Sequence, residues 1–231
     1  MIINKKIVVI IPAFNEENSV GKVIGDIPKK IVDEIIVVNN NSNDLTRVNA
    51  LKKGATVLDE PTQGYGNACL KGLAYIKDLK NKPDIVIFID ADYSDFPEEI
   101  EQLIAPILNE DYDMVIGSRA LGNRERGSMT PQQIFGNWLA TTLLKLLYKV
   151  NYTDLGPFRA IKYDKLLEID MTDKTYGWTV EMQLKAAKLK LKTTEIPVKY
   201  RVRIGHSKVS GTLKGTIGAG YKIITTIFKY L

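Results

Sequence analysis

Two aspartates one residue apart, Asp90 and Asp92, follow the apolar and largely β-branched run 85–89. Such a run predicts a strand buried on both faces in the middle of a parallel sheet. Asp90-Ala91-Asp92 then stands at the strand's carboxyl end, the edge at which open α/β sheets place their ligands. The spacing lets both carboxylates approach one hard cation, directly or through water. Mg2+ and Mn2+ favour such oxygen ligands and commonly bridge to a substrate's phosphates. Alone, a D-x-D is more simply a solvated turn with a helix cap, so the weight falls on the residues around it. Four other apolar runs also end in polar turns. These are Pro12-Ala13-Phe14-Asn15-Glu16-Glu17, Asn39-Asn40-Asn41-Ser42-Asn43-Asp44, Gln63-Gly64-Tyr65-Gly66-Asn67 and Gly117-Ser118-Arg119. Brought to one edge with Asp90 and Asp92, they make a cleft for a base, a ribose and a metal-bound diphosphate.

Alternating strands and helices must position these turns. Residues 7–11, 34–38, 55–58, 85–89 and 113–116 read as strands. Residues 16–26, 43–53, 66–79 and 97–109 read as the helices between them. Pro97, Glu98 and Glu99 suit a first helical turn. The alternation predicts an α/β fold with a mostly parallel, Rossmann-like sheet flanked by helices. No repeat, low-complexity tract or linker interrupts the chain, so one domain is expected over 1–231. Residues 1–118 would form a nucleotide half and 119–231 an acceptor-side half. In the second half, 119–130 is polar and Gly-containing and reads as a mobile loop. Helices are expected over 131–150 and 178–189, and an edge strand over 193–200 because of Pro197. From residue 212 onward, Leu213, Ile217, Ile224, Ile227, Phe228 and Leu231 recur at helical spacing, which predicts an amphipathic C-terminal helix.

Composition sets the bounds. The chain has 231 residues, with 45% hydrophobic and 26% charged, ordinary for a globular protein that buries one sizeable core. Its single cysteine, Cys69, excludes an internal disulfide and fits a reducing compartment. The apolar N-terminal stretch is too short for a signal peptide and runs into the first strand. No stretch reaches the roughly 18 apolar residues of a membrane span; the nearest approach, 134–150, is interrupted by Asn137 and Lys145. The net charge of +5 is uneven: residues 185–231 hold eleven Lys and Arg against one acid, Glu195, a local net of +10. That balance suits phosphates, nucleic acid or an anionic membrane surface. His206, the one histidine, reads as a loop residue rather than a catalyst or ligand.

Pro12-Ala13-Phe14-Asn15-Glu16-Glu17, Asp90-Ala91-Asp92 and Gly117-Ser118-Arg119 resemble the motifs of glycosyltransferase family 2, the GT-A-type nucleotide-sugar transferases. Three narrower matches resemble the branch that moves a sugar onto dolichyl or polyprenyl phosphate. They are Asp154-Leu155-Gly156-Pro157-Phe158-Arg159-Ala160, Tyr176-Gly177-Trp178-Thr179-Val180-Glu181-Met182 and Arg203-Ile204-Gly205-His206-Ser207-Lys208. The resemblance spans nearly the whole chain with its motifs in family order. It implies nucleotide-binding roles for Pro12, Ala13, Phe14, Asn15, Glu16, Asn40, Gly64, Gly66, Asp90 and Ala91. Asn40 stands where many relatives carry Asp, which leaves the base open. Asp90 and Asp92 would hold Mg2+ or Mn2+. Arg119, Arg124, Arg126, Arg201, Arg203, Ser207 and Lys208 would face the donor diphosphate or the acceptor phosphate, with Arg201 and Arg203 straddling the position of one family arginine. Asp92, Arg119 and Glu181 would be the catalytic set, Glu181 being the natural base candidate.

The implied reaction is an inverting transfer of one sugar from UDP- or GDP-hexose to a polyprenyl phosphate. An acceptor phosphate is already anionic near neutral pH and needs no general base. The resemblance implies a cytoplasmic protein, peripheral on the cytoplasmic membrane face, with a nucleotide-sugar donor, a lipid acceptor and a possible separate membrane-protein partner, but no nucleic acid. A Q-x-x-R-W pattern, expected of processive polysaccharide synthases, is absent. The Gly-rich signature of sugar-nucleotide pyrophosphorylases is also missing after the first strand. Two alternatives stay open: a soluble acceptor, and a non-catalytic nucleotide- or membrane-binding module, against which the intact Asp90 and Asp92 count.

Overall fold

The computed structural model describes residues 5–205, 207 and 213–231. Its elements in chain order are β1 (Ile7–Ala13), α1 (Val20–Asp26), β2 (Glu34–Asn39), α2 (Thr46–Lys52), β3 (Thr56–Asp59), α3 (Tyr65–Asp78) and β4 (Ile85–Phe88). A single 3-10 turn (Pro97–Glu99) leads into α4 (Ile100–Asn109) and β5 (Met114–Ser118). Then follow α5 (Pro131–Tyr148), β6 (Arg159–Lys162), α6 (Tyr163–Ile169), α7 (Trp178–Lys188), β7 (Thr193–Pro197) and α8 (Leu213–Lys229).

The strands form one sheet in the order β3-β2-β1-β4-β6-β5-β7. All neighbours run parallel except β6, which is antiparallel to both β4 and β5. The mostly parallel α/β sheet is as expected. Every residue of β1 and β4 is buried, because the period of two sends alternate side chains to opposite faces and both faces carry helices. Val8, Ile10, Val86 and Phe88 join the core under α3, α5 and α7. Ile7, Val9, Ile11 and Ile87 join the one under α1 and α4. Phe88 meets Trp178 of α7 edge to face, with ring centroids 5.8 Å apart.

Three local departures have clear causes. Helix α1 begins at Val20, not at 16, because residues 14–19 are held as a turn by the loop after β2. Thr46 Oγ1 accepts from Glu16 N at 2.7 Å, Asn15 Oδ1 accepts from Asn43 N at 2.9 Å, and Ser19 Oγ donates to Glu16 Oε2 at 2.8 Å. Strand β6 and helix α6 were not expected as elements; they are four and seven residues long, too short to show a period. The loop over 119–130 is pinned, with Glu125 N donating to Tyr200 O and Tyr200 N to Asn123 O.

Two helices shape the second half. Thr130 and Gln133 form a reciprocal capping box at the head of α5, with Pro131 in its first turn. Helix α8 packs one face on the core and leaves another exposed. Ile227 is fully buried, and its carbonyl accepts from Tyr148 Oη of α5 at 2.6 Å. Ile217, Tyr221, Phe228 and Leu231 remain exposed, as do Ile134, Phe135, Trp138 and Leu146 of α5. Among the described residues no helix is long and apolar enough to cross a membrane.

Candidate active site

The carboxyl ends of β1, β2 and β4 open into a cleft of about 300 Å3. Pro12, Ala13, Phe14, Glu16, Asn40, Asp90, Ala91 and Asp92 line it, with Gly64 and Tyr65 from the head of α3 and Arg203 and Ser207 from the C-terminal segment. These are most of the residues expected at a nucleotide site. Asn15 and Gly66 are not among the lining residues. Asn40 spends its amide on shape: Nδ2 donates to Glu60 O and Thr62 O, and Oδ1 accepts from Gly64 N at 2.8 Å. The turn over 60–64 is thereby fixed.

Gly64 and Gly66 are glycines for steric reasons. A Cβ on Gly66 would lie 2.0 Å from the Asp173 carbonyl oxygen, and one on Gly64 2.3 Å from that of Lys174. The strap over 173–177 therefore rests directly on the turn over 64–67. Gly66 N donates to Thr175 O, and Asn67 N to Lys174 O. Gly64 also has φ +148, a conformation L side chains rarely adopt.

Asp90 and Asp92 sit side by side at the cleft floor. Asp92 is 6% exposed; its Oδ1 accepts from Ser94 N at 2.9 Å, and its Oδ2 meets Arg203 Nη1 at 3.1 Å. Asp90 Oδ1 is buried with no hydrogen-bond partner. Burial, and then the neighbouring Asp92 carboxylate, push Asp90 up to about 7. An orphaned carboxylate oxygen beside a second carboxylate is the donor set a hard cation takes. No group of three or more His, Cys, Asp and Glu side chains among the described residues is arranged to hold a metal alone. The pair therefore fits Mg2+ or Mn2+ of the kind that completes its shell with water and phosphate oxygens.

The arginines separate. Arg203 spans the cleft wall, pairing Glu16 Oε1 at 2.6 Å and Asp92 Oδ2 at 3.1 Å. Arg201 turns away: its guanidinium donates to Tyr93 O and Asp95 O and lies between the Tyr93 and Phe96 rings, 3.5 and 4.0 Å from their centroids. Arg119 is held in a buried fork by Asp154, Nε to Oδ2 at 2.8 Å and Nη2 to Oδ1 at 2.6 Å. Burial works against its charge, but Asp154 outweighs burial and raises its pKa. Arg159 is fully buried and donates to the carbonyls of Leu155, Gly156 and Thr179. Burial lowers its pKa to about 10, so it stays cationic and shapes the turn before β6.

Arg119 lines a second chamber of about 370 Å3, continuous with the first through Tyr65, Asp90, Asp92, Tyr176, Arg203 and Ser207. Its far walls come from α5 (Gln132, Gln133, Gly136, Asn137), from Leu155, Pro157 and Trp178, and from α8 (Thr216, Ala219, Gly220, Ile223). Exposed Arg124 and Arg126 lie outside this lining; Arg124 Nη1 reaches the Met129 sulfur at 3.3 Å. Lys208 and His206 fall outside the described residues.

Glu181 is the one catalytic expectation that the structure does not bring to either chamber. It is fully buried where α7, the turn at 172–173 and α8 meet. Its carboxylate accepts from Thr172 Oγ1 at 2.6 Å, Asp173 N at 2.7 Å and Tyr230 Oη at 2.7 Å, and pairs with Lys185 at 2.9 Å. Burial alone would raise its pKa, yet bonds from Thr172, Tyr230, Lys185 and Asp173 bring it down to about 2. Such a group does not accept a proton near neutral pH.

The sequence reading missed Asp95 and Tyr200. Asp95 is 1% exposed with neither carboxylate oxygen hydrogen-bonded. Burial first, then Asp90 and Asp92, push it well above its ordinary value. Its place three residues after Asp92 was the available signal. Tyr200 lies under the Arg119 guanidinium, 5.1 Å from carbon to ring centroid, and lines the second chamber.

Comparison with known proteins agrees with this geometry. The family model described as Glycosyl transferase family 2 matches residues 8–169. The undecaprenyl-phosphate mannosyltransferase of Micrococcus luteus is 28% identical over 222 residues, 91% of this chain and 90% of that protein. The dolichyl-phosphate hexose transferase of Haloferax volcanii is 30% identical over 207 residues, covering 87% and 85%. Among solved structures, the glucosyl-3-phosphoglycerate synthase of Mycobacterium tuberculosis, in complex with Mn2+, UDP and phosphoglyceric acid, superposes with a TM-score of 0.77. That match covers 98% of this chain and 78% of that one at 23% identity, a likeness of fold. With its strand-end carboxylates in a two-chambered cleft and more than half its length matched by the family model, the chain belongs to glycosyltransferase family 2.

Proposed function

We propose that this enzyme transfers one sugar from a nucleoside-diphosphate sugar to a polyprenyl phosphate, with inversion at the anomeric carbon. The observation that carries the reading is the chemistry of the second chamber. Its described lining holds two arginines, Arg119 and Arg203, and no carboxylate or histidine besides Asp90 and Asp92 at the junction. An alcohol acceptor would need a base to take its proton; an acceptor phosphate needs cations to hold it. Two relatives, the undecaprenyl-phosphate mannosyltransferase and the dolichyl-phosphate hexose transferase, support the same class.

The chain's residues divide the work. Pro12, Phe14 and Asn40 wall the base and ribose end of the first chamber, and Gly64 lets the backbone approach the nucleotide. A divalent cation on Asp90 and Asp92 would neutralise charge developing on the departing diphosphate. Arg203 exchanges its contacts with Glu16 and Asp92 for diphosphate oxygens. Arg119, kept cationic and oriented by Asp154, receives the acceptor phosphate at the chamber junction. The isoprenoid leaves along α5 and α8, whose exposed apolar residues and exposed Lys145 and Lys229 suit an anionic membrane face.

The test is product analysis by mass spectrometry with UDP- and GDP-hexoses, Mn2+ and short-chain polyprenyl phosphate. Glycosylated lipid phosphate is expected, with none formed from the free polyprenol. Efficient transfer to a soluble alcohol such as 3-phosphoglycerate, with none to any polyprenyl phosphate, would refute the acceptor and leave the family assignment untouched.

A further inference from the structure

A polar pocket on the far side of the strap over 173–177 belongs to neither chamber. Asp173, Lys174, Glu181, Lys222, Thr226 and Tyr230 are among its walls. Its centre is Asp173, 9% exposed. Asp173 Oδ1 accepts from Thr175 N at 2.7 Å and Gly177 N at 3.1 Å, which fixes the strap's conformation. Its Oδ2 pairs with Lys222 of α8 at 2.9 Å. Beside it, the 4% exposed Thr226 closes over Gly177, where a Cβ would lie 2.8 Å from Thr226 Oγ1. The strap's other side carries the carbonyls that rest on Gly64 and Gly66 and accept from the amides of Gly66 and Asn67. Helix α8 is thus joined to the turn over 64–67 through the backbone of the strap, whose carbonyls lie in direct contact with Gly64 and Gly66.

We propose that Asp173 and Lys222 are positioning residues for the nucleotide turn, making α8 the element that sets the geometry of the first chamber from outside it. This rests on the reading of that chamber as the donor site. The adjacent face of α8, through Thr216, Gly220 and Ile223, walls the second chamber. The seating of α8 and the binding of a nucleoside diphosphate therefore favour each other, and linkage makes the effect reciprocal.

Hydrogen exchange and calorimetry test this on the full chain. Lys222→Met removes the α8 charge. Asp173→Asn keeps an acceptor for Thr175 N and Gly177 N while removing the charge facing Lys222. Both should speed exchange of the amides over 64–67 by about tenfold and weaken binding of UDP or GDP with Mn2+ by a similar factor. Lys222→Arg should restore both quantities, and Lys30→Met, the same charge change at an exposed position outside this pocket and both chambers, should alter neither. Nucleotide should in turn slow exchange over 222–226 in the unsubstituted protein. Exchange over 64–67 that is the same in both charge-removing variants as in the parent overturns the proposal. If exchange responds as expected but neither nucleotide binds the parent, the coupling stands and the donor-site reading falls.

Discussion

Replacing Glu181 by Gln isolates what its carboxylate does. The folded protein holds this group at about 2 against an ordinary 4.5. At about 1.4 kcal/mol for each pH unit of displacement, that is roughly 3 kcal/mol in favour of the folded state at neutral pH. The sign follows from the depressed folded value: the contribution is fully present above about 4.5 and fades as pH falls towards 2. Four donor groups share it, from Thr172, Asp173, Tyr230 and Lys185. An amide would turn one of its own donors towards them, so Gln forfeits most of the gain. Urea denaturation of parent and variant, run in parallel at pH 7, 5, 4 and 3, should show a gap of roughly 3 kcal/mol at pH 7. The gap should hold at pH 5 and narrow steadily below it. Comparing the two proteins at each pH removes the background of other titrating carboxylates. A gap of the same size at pH 3 as at pH 7 would refute the assignment of this stability to the ionised carboxylate. A variant of unchanged stability that loses turnover would instead return Glu181 to a chemical role.

Asp92→Asn should leave the unfolding free energy within about 1 kcal/mol of the parent and remove most transfer activity; full turnover, or full parent activity in excess chelator, would contradict the metal assignment. Gly66→Ala drives a methyl group into the Asp173 carbonyl, so a loss of roughly 1–3 kcal/mol in stability and of nucleotide binding by calorimetry is expected, and unaltered values would count against the close packing. Arg119→Met leaves the Asp154 carboxylate, 1% exposed, without its fork, and should cost about 3–5 kcal/mol in chemical denaturation; a cost under 1 kcal/mol would mean that the pair is dispensable. Phe135→Ser with Trp138→Ser should reduce co-sedimentation with anionic liposomes at low salt while preserving soluble-phase nucleotide binding, and parent protein that stays wholly in the supernatant would sink the membrane surface.

The parallel half of the sheet was readable because 7–11 and 85–89 are long apolar runs with one physical meaning. The cleft was readable from where those runs stop. Strand β6 was hidden by its composition: Arg159 and Lys162 bound it, and an arginine with no exposed surface runs against the usual rule of burial. Arg201 and Arg203 could not be told apart because both lie in one irregular segment. The structure separates them where Arg201 N bonds Ser94 O and Ile204 N bonds Asp92 O, a contact across more than a hundred residues of chain. Glu181 showed its i+4 partner Lys185 in sequence, yet its other donors, Tyr230 included, meet it only through tertiary packing. Local spacing placed the acids well; it had no access to which of them the fold would saturate.

The reversed strand β6 changes how the chain can be cut. Its two neighbours are β4 from before residue 118 and β5, whose other partner is β7. A fragment ending at 118 would keep β5 and lose both of its partners, because β5 never pairs with β4. The late segment works as a keystone, set from above into an arch whose two sides were laid earlier. Severing the halves in sequence at 118 would therefore leave β5 unpaired on both edges. Exchange of acceptor regions between relatives would have to carry β6 and β7 as one piece, together with the Asp154 turn that leads into them.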